Sequence, residues 1–439
     1  MRIWERSGVD ARNTGVRVTI TSRLCLALVL GTASTVLLAC NAILGVQDVT
    51  LREDDAGRAK QDGPEPDDSI EADADVETVD RGELALGFNH GCARLRDGTV
   101  RCWGDNGSGQ VGDGRPLDAS RPDVLKPQVV KGIDDAVAIA AGLSHTCVVH
   151  RPGTVSCWGY NFFGQLGDGT EQRSSSPVKV LGLTNAIAIA GGTSFTCALR
   201  ADKTVVCWGA NYSGQLGDGT KVKRPTAAPV KGLTGAVGIA AATDHACAVL
   251  EDGSVMCWGG NTEGQLGIGS TTESLTPTKL TALTDVVQVA AAERFSCARQ
   301  KSGRVYCWGN NQYGQLGNGS PNPDPNPSPI LVPAVGDATF VWTGFEHACA
   351  VRESGAIVCW GAAGQGQLGK GTVSSDASVA MPVTVVGAPP AIGVWTGGNR
   401  SCSLAADGRA FCWGQNATGQ LGNGTKEQSY AAVPVSNLP

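Results

Sequence analysis

The 439-residue chain has little charge, few aromatics and almost no methionine. Asp, Glu, Lys and Arg make up 17%, Phe, Trp and Tyr 5%, and there are three Met and five His. No Ser, His and Asp recur at fixed spacing, no glycine-rich loop precedes a helix, and no helical period stands out, so no catalytic set is expected. Glycoside chemistry would need two carboxylates at a defined separation, which spacing along a chain does not supply. The longest apolar run, Leu24 to Ala39, falls short of the ~20 residues of a membrane-spanning helix. Charge is also unevenly spread. Residues 48–83 hold fourteen acidic against four basic residues, and residues 1–40 hold five Arg against Glu5 and Asp10. The remainder is close to neutral, which gives no electrostatic footprint for nucleic acid.

What the chain has instead is glycine, cysteine and tryptophan in a repeated order. Two cysteines ten positions apart occur seven times: Cys92/Cys102, Cys147/Cys157, Cys197/Cys207, Cys247/Cys257, Cys297/Cys307, Cys349/Cys359 and Cys402/Cys412. The second always opens Cys-Trp-Gly, and every copy but the sixth continues to an Asn. A Gly-Gln-Leu/Val-Gly-x-Gly stretch follows, as at Gly214–Gly219. A period of about 50 residues marks a solenoid, a propeller or an array whose units share their core.

Within a copy, short alternating runs read as strands. The runs around the two cysteines flank a tight turn ending in Asp-Gly in most copies, as at Asp97-Gly98, Asp252-Gly253 and Asp407-Gly408. A three-residue hairpin loop favours glycine in its last place. That pairing sets the two cysteines directly opposite, within disulfide reach. Seven disulfides inside the repeats are expected if the compartment oxidises; the alternative is seven pairs of buried thiols. Cysteine pairs in separate units do not make a tetrahedral metal set, so no metal and no cofactor are expected. The recurring tryptophan reads as a core anchor. His90, His145, His245 and His347 share a column with Phe195, Phe295 and Arg400, which marks it as packing.

The N-terminus reads as a targeting segment. Arg12, Arg17 and Arg23 precede the apolar run, which ends Leu37-Leu38-Ala39-Cys40. This order resembles a bacterial lipoprotein signal, which implies lipidation of Cys40 and residence in the cell envelope, on the outer membrane or cell surface. An ordinary signal peptide or a short anchor is the alternative. Residues 1–39 are therefore read as signal and 40–82 as a disordered acidic tether, too poor in apolar residues to fold.

Residues 83–439 resemble the repeats of the regulator of chromosome condensation family. The stretch from His245 to Gly267 carries Cys247, Asp252-Gly253, Cys257-Trp258-Gly259, Asn261 and Gly264-Gln265-Leu266-Gly267. The resemblance implies an all-β, seven-bladed propeller of four-stranded blades. The first copy lacks a preceding Pro-Val strand, and the chain ends with Val433-Pro434-Val435, so a C-terminal strand is expected to complete the first blade and close the ring. The family's founding member exchanges guanine nucleotide on a small GTPase, whereas relatives serve as lids, scaffolds and ubiquitin-ligase modules. No insertion matching an exchange wedge is present.

The expected function is a monomeric, non-enzymatic binding module for a protein or glycan of the envelope, held to the membrane by its lipid and binding no nucleic acid. Nucleotide exchange is the alternative, and a surface carbohydrate-active enzyme a third reading. Two departures from the repeat bear on a site. Trp342 and Trp395 replace the Ala of other copies seven places before the first cysteine, either as an aromatic wall or as bulk at the ring's closure. The proline-rich loop 321–329 is a contact or a linker. Intact mass of the protein from native membranes is expected to show diacylated Cys40 and no free thiol among the fourteen repeat cysteines; an unprocessed chain with fourteen alkylatable thiols would refute export.

Overall fold

The computed structural model describes residues 49–50, 77–78, 82–117, 121–373 and 377–438. Cys40, the signal segment and most of the acidic segment lie outside these residues. Val49–Thr50 pairs antiparallel with Glu77–Thr78. From Glu83 onward every regular element is a strand, and the strands form seven four-stranded sheets, each built from four consecutive strands. These are the blades of one propeller, numbered here 1 to 7 in chain order. Blade 3 shows the pattern: Ala186–Gly191 innermost, then Phe195–Arg200, Val205–Gly209 and, outermost, Arg224–Pro229.

The cysteine register is as the turns dictate. Cys197 lies opposite Cys207, and the equivalent residues face each other in all seven blades. Disulfides join Cys92 to Cys102 in blade 1, Cys147 to Cys157 in blade 2 and Cys197 to Cys207 in blade 3. They continue as Cys247 to Cys257, Cys297 to Cys307, Cys349 to Cys359 and Cys402 to Cys412 in blades 4 to 7. The bonded Cα atoms are 4.0–4.1 Å apart throughout. All fourteen cysteines are buried. The glycine after the tryptophan has a distinct reason to be there. Gly209 has φ +109°, and a Cβ on it would lie 2.6 Å from the Ser194 carbonyl oxygen. A side chain at that place would push the first turn of the blade off the sheet.

Closure differs from the expectation. The last strand, Ser429–Pro434, pairs with Ala410–Gly414 and completes blade 7, not blade 1. Blade 1 has its own fourth strand, Val124–Val129, paired with Val100–Gly104. The physical reason lies in the loop after Cys-Trp-Gly. It turns the chain back along its own third strand, so the Pro-Val run belongs to the blade before it rather than the one after. Asn211 holds that loop: its side-chain oxygen accepts from Leu216 N, and its Nδ2 donates to the Thr220 and Val222 carbonyls. Among the described residues no strand is exchanged between the first and last blades.

The proline-rich stretch is likewise a strand and not a loop. Asn322–Leu331 is the outermost strand of blade 5. Its paired residues are Asn322, Asn326, Ile330 and Leu331, and Pro323, Pro325, Pro327 and Pro329 fall between them. An edge strand tolerates proline where no N–H is asked for, and the prolines blunt the edge. Because each disulfide closes a short hairpin, Cys197→Ala with Cys207→Ala should cost about 2–3 kcal/mol in urea unfolding. Thiol labelling of the native wild type should find none of the fourteen cysteines reactive until the chain is reduced and denatured.

Candidate binding face

Adjacent blades are joined by a fixed set of side chains. The indole N–H of each tryptophan donates to the main-chain carbonyl of the glutamine in the preceding blade's loop: Trp158 to Gln110, Trp208 to Gln165, Trp258 to Gln215, at 2.9–3.0 Å. Trp308, Trp360 and Trp413 do the same with Gln265, Gln315 and Gln367. Trp103 of blade 1 reaches Gln420 of blade 7 at 3.0 Å and closes the circle.

A second contact varies from blade to blade, and it varies in pairs. His90 meets Thr146 of the next blade, His145 meets Thr196, His245 meets Ser296 and His347 meets Ser401, all at 2.8–2.9 Å. Where the column holds Phe195 or Phe295, the next blade offers Ala246 or Ala348 instead, in the same apolar clusters. Each Thr or Ser hydroxyl donates its one proton to the same glutamine carbonyl that the tryptophan uses. The histidine must therefore donate from Nε2, and His90, His145 and His347 are neutral. Burial agrees, pushing His90 and His347 down to about 3 and His145 to about 4.

These contacts leave two faces of different character. On one, the turn between first and second strands touches the loop after the third strand, as in blades 1, 3 and 6: Asp105 N donates to Asn89 O, Ala210 N to Ser194 O, Ala362 N to Glu346 O. That face carries the variable side chains. A central channel opens onto it, with a cavity of about 200 Å³ walled by the innermost strands. Ala85, Ala140, Ala190, Ala240 and Ala290 keep five blades slim, and Trp342 and Trp395 sit in the same column of blades 6 and 7. Both line the cavity, and both lie against one ring that sequence reasoning missed. Phe340 stacks on Trp342 at 5.8 Å and meets Trp395 at 5.4 Å. It lies two residues before Trp342 on the same side of the strand, a spacing that could have drawn attention to it. Trp395 is buried and Trp342 half-buried.

A second group that sequence reasoning missed lies on the outer part of this face. Phe162 and Tyr212 are 61% and 60% exposed. Phe163 touches both, at 5.3 and 5.9 Å between ring centres, and Tyr160 at 6.4 Å. Lys223 Nζ lies 5.9 Å from the Phe162 ring centre. The signal was present in the column five places after the second cysteine, where other copies carry Gly107, Thr262, Gln312, Gly364 and Ala417. Exposed aromatic clusters of this kind mark interaction sites. Among the described residues no group of His, Cys, Asp or Glu is arranged to hold a metal.

Comparison with known families agrees with this architecture. The model of the RCC1-like domain matches residues 59–293, and models of the regulator of chromosome condensation (RCC1) repeat match 286–315, 302–351 and 407–438. The chain belongs to the RCC1-like domain family. Curated relatives match over shorter stretches. The secretion-regulating guanine nucleotide exchange factor of Mus musculus is 33% identical over 115 residues, 23% of this chain and 25% of that protein. The probable E3 ubiquitin-protein ligase HERC6 of Homo sapiens is 33% identical over 106 residues, 24% of this chain and 10% of that protein. The matched stretches thus span a quarter or less of these two relatives. Among solved structures, human WBSCR16 superposes with a TM-score of 0.68 at 24% identity, covering 77% of this chain and 94% of that one. Prp20p of Saccharomyces cerevisiae gives 0.68 at 22%, covering 81% and 88%. Those likenesses show the fold.

One expectation is corrected by the relatives. The reading of this chain as non-enzymatic does not stand, because proteins matched through these repeats include E3 ubiquitin-protein ligases. The repeat segment alone does not separate relatives with enzymatic roles from those without.

The paired column is directly testable. Thr196→Ala should strand the buried His145 N–H and cost about 1–3 kcal/mol. Adding His145→Phe rebuilds the pairing seen between Phe195 and Ala246, and most of the loss should return. The histidine's folded pKa lies below its unfolded value, so its contribution is full above about pH 6.5 and is lost as pH falls towards about 4. Denaturant titrations across that window should show the double variant losing less stability than wild type, by roughly 1.4 kcal/mol per pH unit.

Proposed function

We propose that this chain is an exported, lipid-anchored bacterial propeller that binds a protein partner through the face carrying Phe162, Tyr212 and the channel mouth. The observation that carries this reading is the exposed aromatic cluster of blades 2 and 3, in a chain whose recurrent tryptophans are all consumed in the core. Aromatic anchors with a cation nearby are typical of protein-binding hot spots. Prp20p of Saccharomyces cerevisiae binds Gsp1p and histones, so a propeller of this fold can take protein partners. The signal-like segment ending at Cys40 and the acidic spacer support an envelope location, and the seven disulfides suit an oxidising compartment. Guanine nucleotide exchange is the second reading, favoured by the match to the mouse exchange factor.

A photo-crosslinking residue placed at position 212 in cells should capture one protein. The same residue at position 202, on the hairpin at the opposite face of blade 3, should capture none. Phe162→Ala should weaken capture at 212 by about five-fold or more. Equal capture from both positions, or none from 212, would refute the reading. A GTPase as the captured protein would favour exchange.

A further inference from the structure

The mouth of the channel on this face is ringed by the turns of all seven blades, and its side chains fall into two unlike arcs. Phe345 of blade 6, Phe88 of blade 1 and Leu143 of blade 2 form an apolar arc lining an opening of about 100 Å³. Blade 7 contributes Gly398 between the two phenylalanines; a Cβ there would lie 2.4 Å from the Phe88 carbonyl oxygen. With no side chain intervening, the rings of Phe88 and Phe345 meet edge to face at 5.4 Å. The other side is acidic: Glu293 of blade 5 lines the opening, and Glu346, the residue after Phe345 in blade 6, lies near enough for the charge of Glu293 to act on it. Asp244 of blade 4 is engaged elsewhere, by Gln265 Nε2 at 3.4 Å and beside His245 Nδ1 at 3.6 Å. The arcs join at the neighbours Phe345 and Glu346.

Glu293 and Glu346 are poorly compensated. Arg294 is the nearby cation, 58% exposed, and lies 3.6 Å from Glu293 and 3.9 Å from Glu263. Glu346 makes no ion pair among the described residues. Burial and the charge of Glu293 push the Glu346 carboxyl upward, and burial with Asp244 does the same for Glu293. An independent observation lies just inside the opening. Thr343 and Thr396, 5% and 3% exposed, line both the mouth and the cavity. Their hydroxyls have no hydrogen-bond partner among the described residues. Buried hydroxyls left unpaired in this way are costly unless something arrives to use them.

We propose that this mouth seats the guanidinium of an arginine presented by the protein partner, stacked on the Phe345 ring with Phe88 alongside, and paired with Glu293 and Glu346. A flat cation that both stacks on aromatic faces and bonds carboxylates through two parallel N–H groups fits an aromatic arc set beside an acidic one. The compact ammonium of lysine satisfies the carboxylates but not the ring faces. The unpaired threonine hydroxyls just inside the opening are acceptors that a donor-only guanidinium can use. The proposal rests on this face being the protein-binding one, and it names what the partner must present.

The test uses the full chain and three capped tripeptides, Gly-Arg-Gly, Gly-Lys-Gly and Gly-citrulline-Gly, followed by NMR shifts of the Gly398 and Thr343 amides. Saturable shifts with the arginine peptide are expected, with lysine weaker and citrulline weaker by about ten-fold or more, since citrulline keeps the shape and loses the charge. Glu346→Gln should weaken arginine binding by about five-fold while leaving the unfolding midpoint unchanged or raised, because it removes a like-charge repulsion. Equal binding of citrulline, an unaffected Glu346→Gln variant, or no saturable shift would overturn the proposal. If crosslinking from position 212 persists while the peptides fail, this site falls and the wider reading of the face stands. If the arginine peptide binds and crosslinking is absent, the mouth is a site and the partner reading falls.

Discussion

Everything in this propeller hangs on one hydrogen bond made seven times, from a buried indole N–H to a glutamine carbonyl in the preceding blade. A tryptophan ring brings a large apolar surface and one donor that must be met when water is excluded. The loop before it meets that donor with backbone, which frees the glutamine side chain for its own turn: Gln215 Oε1 accepts from Ser213 N. The glycine two places on leaves room for the ring; a Cβ on Gly217 would lie 2.8 Å from Trp258. Cys-Trp-Gly and Gly-Gln-Leu-Gly are thus two halves of one contact, written in adjacent repeats. A single repeat contains both halves and satisfies neither, which is why the unit cannot fold alone.

Closing such a ring without an exchanged strand puts a demand on the seventh interface. It joins the two ends of the propeller, with no peptide linking the blades it brings together. Arg400 occupies the histidine column there and donates across it, to the carbonyls of Gly87 and Phe88 at 3.2 and 2.7 Å and also to that of His90. The opposing place, Thr, Ser or Ala at the other six interfaces, is Gly91, where a Cβ would lie 2.9 Å from the Trp103 ring. Burial pulls the Arg400 guanidinium down to about 9, which still leaves it charged at neutral pH. A buried cation is tolerable here because several carbonyl dipoles replace water around it. Arg101 adds a bond to the Asn437 carbonyl at 2.8 Å, and Lys426 pairs with Asp123, so polar side chains do at the closure what chain continuity does elsewhere.

Much of this was legible in the sequence, and the reasons differ by element. The hairpin register followed from turn chemistry, since a glycine-ended three-residue loop leaves one pairing that opposes the cysteines. The strand at the closure did not follow, because a Pro-Val run between two copies carries no mark of which copy it serves; the local loop held by Asn211 turns it back on its own blade, and the Asn column alone does not say which carbonyls its side chain meets. Trp342 and Trp395 stood out because they break a column of alanines in a strand. Phe162 and Tyr212 break a column of small and polar loop residues, where variation is ordinary and aromatic character is the only signal. The rule linking His to Thr or Ser and Phe to Ala was present as four and two matched pairs, yet it becomes visible only once the structure sets each blade beside the next.

That paired rule also explains how one fold separates strength from recognition. The columns facing neighbouring blades are bound to one another, so a change in one asks for a change in its partner. The turn tips and loop positions on the binding face are tied down through their main chain, by bonds such as Ala210 N to Ser194 O and Ala362 N to Glu346 O. A backbone bond does not depend on which side chain stands there. Glu346, Phe345, Phe162 and Tyr212 are therefore placed with the rigidity of the sheet while their identity is free of its packing. Such positions can carry a recognition pattern different in every blade, as the apolar and acidic arcs of the channel mouth do, without cost to the ring that holds them.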